Sequence, residues 1–231
     1  MPAWKSDTQF VSFLVFSILF GIFSLINILT GFFEKEKLRR ISKPFCLIFL
    51  GIAAAISLPD YCLIYIGCFL GSIGDFLLLY KNNKICLVSG LSSFLLGHFC
   101  YIAQTIVYLS MHGLLEWWSS LVMIAFYLVA ALAVVFPIWG LTKHSKLFTI
   151  SGTLYCTTLL SVIASGALGL FFLGARWYIF VMIGGIFFFA SDLILTSTIF
   201  RHDFPRRDFY IMLTYLLGEA GIVFGMIFTI L

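Results

Sequence analysis

The chain has 231 residues, of which 62% are hydrophobic and only 10% charged. Soluble domains carry about a quarter charged residues, so a water-facing globule is excluded for want of polar surface. The net charge of +4 is modest and sits in short connectors, so it reads as a topology signal and excludes a nucleic-acid surface.

Apolar runs fall near 9–33, 44–58, 61–80, 85–110, 118–141, 147–173, 176–200 and 208–231. A helix needs about 20 residues to cross the hydrocarbon, so these runs predict an all-α bundle of about eight transmembrane helices. They make residues 1–231 a single transmembrane domain. The runs are continuous and do not alternate, which disfavours a β-barrel. The first run is too long for a signal segment and is expected to be retained. The second is short, and Pro44 is read as a first-turn proline after a charged connector, Glu34 to Lys43.

Counted on alternate sides of eight crossings, twelve of the fourteen Lys and Arg residues share one side. Only Lys5 and Arg176 lie on the other. The positive-inside rule then predicts that both termini face away from the cytoplasm. Gly74-Asp75 resembles Ser191-Asp192, and Leu95-Leu96-Gly97-His98 resembles Leu216-Leu217-Gly218-Glu219. Both pairs run in one direction across the bilayer, so a four-plus-four parallel repeat is a possible origin.

The six cysteines lie in or beside apolar runs without a C-x-x-C pair, and are read as small buried hydrophobes. Four ionisable groups inside the runs demand a reason: Asp75, His98, Asp192 and Glu219. Asp75 and Asp192 both fall in the cytoplasmic half of the bilayer, as a shared site would require. Paired carboxyls can divide labour, one as an acid and one carrying charge. The alternative is that each only bonds a neighbour and fixes helix packing. His98, Tyr101 and Thr105 share a helix face with Gln104 adjacent, Tyr215 and Glu219 share another, and Ser151, Tyr155 and Thr158 form a stripe. Tyr101 and Tyr155 suit either core hydrogen bonding or substrate contact. Gly67, Gly71 and Gly74 read as packing positions. The sequence has no G-x-S-x-G, H-E-x-x-H or P-loop motif. One intramembrane histidine is too few for a histidine-rich zinc site, so no metal and no cofactor are expected, although an Asp/Glu/His set for another metal stays open.

The ordered set Lys43-Pro44, Gly74-Asp75-Phe76-Leu77-Leu78, Gly97-His98-Phe99-Cys100-Tyr101, Tyr155, Phe188-Phe189-Ala190-Ser191-Asp192 and Tyr215 to Glu219 resembles the lysoplasmalogenase family (YhhN-like) over roughly residues 40–225. The resemblance implies a hydrolase acting on ether bonds. Such enzymes cleave the vinyl ether bond of lysoplasmalogens to a fatty aldehyde and glycerophosphocholine or glycerophosphoethanolamine. It also implies an endoplasmic reticulum membrane in animals. Asp75 and Asp192 are the expected catalytic pair, with Lys43, His98, Tyr101, Tyr155, Ser191, Tyr215 and Glu219 in binding or supporting roles. The expected partners are a lysophospholipid substrate and membrane lipids, with no nucleic acid and a homodimer left open. Lys43, Lys81, Lys84, Arg206 and Arg207 are the candidate phosphate contacts, Lys43 foremost.

The main rival is a proton-coupled transporter of a lipid or small amphiphile, which buried carboxyls and a repeat would also suit. Proton-driven uptake in proteoliposomes separates it from aldehyde release in detergent. A ligand-sensing receptor is disfavoured by the short loops and tails.

Overall fold

The computed structural model describes residue 4 and residues 6–80, 82–113, 146–172, 174–200 and 204–231. They form seven helices: α1 (Asp7–Phe32), α2 (Glu36–Ser57), α3 (Cys62–Leu78), α4 (Lys84–Met111), α5 (Lys146–Phe172), α6 (Tyr178–Phe200) and α7 (Arg207–Ile230). Among the described residues there is no strand. Six of the helices are long and apolar enough to cross a membrane, and α3, at 17 residues, is a shorter apolar helix. The expected run at 118–141 lies outside the described residues, as do Lys5, Lys81, Lys143, Arg201, His144 and His202.

The helices turn their apolar faces outward. On α1, Val11, Val15, Ile18, Ile22, Leu25 and Leu29 are exposed at helical spacing, while Ser24, Asn27 and Thr30 are buried. A continuous exposed apolar stripe is costly in water and satisfied in lipid, which defines a multi-pass membrane protein. The buried Asn27 carries structure: its amide donates to the carbonyl of Arg39 at 2.9 Å and to Ser42 Oγ at 2.8 Å.

α2 corrects one reading. The charged segment before Pro44 is no connector, because the helix begins at Glu36 and Pro44 lies inside it. Glu36, Arg39, Arg40 and Lys43 recur at i, i+3, i+4, i+7, so the first two turns form a charged face at the membrane surface. All six cysteines are free thiols; Cys46 and Cys68 are buried, whereas Cys62 is exposed, contrary to the uniform burial read from its apolar setting.

Among the described helices, each packs on the next in chain order, and α7 closes the ring on α1. α7 also touches α2 and α3. Two close approaches need glycine. Gly74 of α3 faces the carbonyl of Gly90 on α4, where a Cβ would lie 3.1 Å from that oxygen. Gly184 of α6 faces α7, where a Cβ would meet Gly218 O at 2.6 Å and Ile222 N at 2.7 Å. Without side chains there, the backbones can approach and gain dispersion contact, the main attraction between helices in lipid.

One end of the bundle gathers the cations. Arg39 of α2 pairs with Asp208 of α7 at 3.1 Å. The Arg206 guanidinium lies 4.2 Å over the Phe32 ring at the end of α1. The end of α1, the start of α2, the end of α3 and the start of α7 therefore share this face.

Candidate active site

Three carboxyls lie inside the bundle, and each accepts a hydrogen bond from a tyrosine of another helix. Tyr215 of α7 donates to Asp75 Oδ2 at 2.8 Å. Tyr155 of α5 donates to Asp192 Oδ2 at 2.6 Å. Tyr101 of α4 donates to Glu219 Oε2 at 2.9 Å, and its hydroxyl also lies 3.5 Å from Cys68 Sγ. The bonds join α3 to α7, α6 to α5 and α7 to α4. Buried polar groups without partners are expensive in lipid, so these bonds also tie the bundle together.

Asp75 sits in the last turn of α3 and is 0% exposed. Lys43 Nζ lies 3.1 Å from its Oδ1 and 6.0 Å from the centre of the Tyr215 ring. Asp75 therefore has a hydrogen bond at Oδ2 and an ion-pair contact, outside hydrogen-bonding geometry, at Oδ1. Asp192, about two turns before the end of α6, is only partly buried. Among the described residues its one polar side-chain partner is the Tyr155 hydroxyl. Glu219 is buried about three turns into α7, near Gly71 of α3, whose missing side chain leaves room chiefly for Leu47. Its Oε1 would lie 3.9 Å from a Cβ at Gly71.

The two aspartates share neighbours. Lys43 is in electrostatic reach of both Asp75 and Asp192, and so is Glu219. The site is thus wider than a simple aspartate pair: it holds three carboxyls, with one lysine beside the two aspartates.

His98 is buried on α4, and its Nδ1 lies 2.7 Å from the carbonyl of Phe94. A carbonyl only accepts, so Nδ1 carries the proton and Nε2 offers a lone pair. Nε2 has no protein partner among the described residues. The ring stands edge-on to Phe188 at 4.2 Å between centroids, and Phe188 lies 5.4 Å from the Tyr215 ring. Phe94 completes this aromatic wall, 5.9 Å from Tyr215. Ser191 spends its hydroxyl on the carbonyl of Ile211 at 3.1 Å, which pins α6 to α7. Thr105 and Thr158 bond carbonyls of their own helices.

Gly67 faces the Tyr101 ring and Gly74 the Phe94 ring, in keeping with their reading as packing positions. One structural group was missed from sequence: Asn27, whose signal was an amide inside an apolar run. Among the described residues no group of three His, Cys, Asp or Glu side chains is placed to hold a metal ion.

Fold and site together define a polytopic membrane protein with a cluster of acids in its apolar core. The model of the YhhN family matches residues 38–226, so the chain belongs to that family, which includes lysoplasmalogenases. No curated protein and no solved structure matches the chain.

Proposed function

We propose that this chain is a lysoplasmalogenase-like hydrolase, with Asp192 as the acid that attacks the vinyl ether. The observation that carries this reading is the contrast between the two aspartates. Asp75 is sealed, with Lys43 and Tyr215 on its oxygens. Asp192 is partly open and bonded through Oδ2 alone, which leaves Oδ1 to hold and deliver a proton.

Vinyl ethers hydrolyse by acid catalysis. Asp192 passes its proton to the outer vinyl carbon, whose π electrons form the new C–H bond. The carbon attached to oxygen becomes an oxocarbenium ion, and the Asp192 carboxylate just formed stands beside it as counter-ion. Water adds to that carbon and returns a proton to Asp192. The hemiacetal then breaks its bond to the glyceryl oxygen, which takes the hydroxyl proton, giving a fatty aldehyde and the glycerophospho-alcohol. Asp75 acts through Lys43 and Tyr215, and is a positioning residue. Glu219 and His98 Nε2 are the groups available to hold the water.

Membership of a family that includes lysoplasmalogenases supports this chemistry. The substrate is a lysophospholipid with its tail in the bundle, taken from the surrounding membrane. In the proposed topology, the run at 118–141 supplies an eighth crossing. α4 ends and α5 begins at opposite faces, so one further crossing keeps the parity. Both termini then face away from the cytoplasm, in the endoplasmic reticulum membrane. In a four-plus-four repeat, Asp75 and Asp192 would be counterparts.

The test is aldehyde release by purified protein in detergent from a lysoplasmalogen, with the ester-linked lysolipid as control. Asp192→Asn should lower turnover by about 10²-fold or more, the size of general-acid help. A folded Asp192→Asn variant with normal turnover would refute the mechanism, and a wild-type protein that releases no aldehyde would refute the activity.

A further inference from the structure

A cavity of about 100 Å3 opens at the basic end of the bundle. Glu36, Arg39, Arg40 and Lys43 of α2 form its charged lining with Asp208 of α7. Its remaining wall is apolar and includes Leu195 of α6, one turn beyond Asp192. A single water needs about 10–15 Å3 by this measure, so the space accommodates several, and hence a phosphate group. Lys43 lines the cavity and also holds Asp75, so the floor of the cavity is the roof of the acid site.

The lining carries three cations and two anions, and Asp75 beneath Lys43 brings the local sum to neutral, so a phosphodiester monoanion depends on the cation with the weakest partner. The cations are not equally free to serve it. Arg39 is bound to Asp208 at 3.1 Å and Lys43 to Asp75 at 3.1 Å. Arg40 has a 3.9 Å approach from Glu36 Oε1, one hydrogen bond to the carbonyl of Leu79 at 3.3 Å, and the Tyr80 ring centre 5.7 Å from its guanidinium carbon. A guanidinium has five N–H donors, so most of those on Arg40 are available, and its side chain is 42% exposed. Its planar fork suits two oxygens of one phosphate. The cavity also lies where the cationic ends of the helices meet the lipid headgroup layer.

We propose that this cavity seats the phosphodiester of a single-chain lipid, with Arg40 as the anchor and the tail leading past Leu195 towards Asp192. The proposal deepens the hydrolase reading and rests on it for the tail's destination. It also moves the phosphate contact from Lys43, which Asp75 already occupies, to Arg40.

The experiment measures equilibrium binding of a radiolabelled saturated ether lysophospholipid to the full chain in detergent micelles. That lipid keeps the phosphodiester but lacks the vinyl bond, so binding is read without turnover. An alkylglycerol of the same chain length and a soluble glycerophosphodiester serve as the other two ligands. Wild-type protein should prefer the phosphorylated lipid over the alkylglycerol, and Arg40→Gln should shrink that preference about tenfold, the worth of a charge-assisted hydrogen bond. Arg40→Lys, which keeps the charge and loses the fork, should retain an intermediate preference. Melting curves of the ligand-free variants identify any that fail to fold. If only Arg40→Lys folds, a preference equal to wild type overturns the proposal. So does an unchanged preference in folded Arg40→Gln. Soluble glycerophosphodiester binding as tightly as the lipid would also overturn it, by making the site one for free phosphate esters. Arg40-dependent lipid binding without aldehyde release would refute the hydrolase reading and leave the headgroup seat standing.

Discussion

The Lys43–Asp75 pair gives a quantitative test of the site. Asp75 is 0% exposed, and its charge is balanced by one ammonium at 3.1 Å and one tyrosine hydroxyl at 2.8 Å. Replacing Lys43 by Met keeps the aliphatic bulk and strands the carboxylate. Breaking a buried pair in this way costs about 3–5 kcal/mol. Asp75→Asn should cost less, about 1–2 kcal/mol, because the Lys43 side chain is 13% exposed at the mouth and can turn its ammonium to the surface. The double variant leaves no unpaired charge, and should be about 2–3 kcal/mol more stable than the sum of the single losses implies. The assay is a double-mutant cycle on unfolding free energies in mixed micelles. Losses that simply add, within about 0.5 kcal/mol, would show that the two groups do not interact and would remove the roof of the proposed site.

Two further outcomes follow from the same geometry. Gly184→Ala should destabilise by about 1–3 kcal/mol, because its Cβ would strike backbone atoms of α7 at 2.6 and 2.7 Å that no rotamer can move. Gly21→Ala, with nothing within 4 Å of its Cβ, should be neutral or stabilising by up to about 1 kcal/mol; unfolding curves giving both variants the same sign would contradict the helix contact. Tyr155→Phe removes the 2.6 Å bond to Asp192 and should lower kcat about tenfold, short of the loss in Asp192→Asn. Aldehyde-release assays showing no loss, or a loss equal to that of Asp192→Asn, would argue against a supporting tyrosine.

Much of this protein is legible in its sequence. Long apolar runs have one stable form in lipid, the helix, because it satisfies its own backbone. An ionisable group inside such a run is conspicuous because hydrocarbon offers it no solvent. Asp75, Asp192, Glu219 and His98 stand out for that reason, as does the clustering of Lys and Arg at one end. The motif order also carried the family resemblance.

The pairing of these groups was not legible. Helical spacing reports which residues share a face of one helix, but not how that face is turned against its neighbours. Tyr215 lies on the same face as Glu219, yet it bonds Asp75, 140 residues away, while Glu219 bonds Tyr101. Lys43 was legible as a cation beside a membrane helix, but its contact with Asp75 was not. Pro44 hid the helical start of α2, and with it the charged face that puts Arg40 in the cavity. The sequence by itself determined the helices, the cationic end and the acids that need partners. Only the tertiary structure decided which partner each acid took, because rotation and approach depend on backbone contacts between distant segments, such as Gly184 against Gly218.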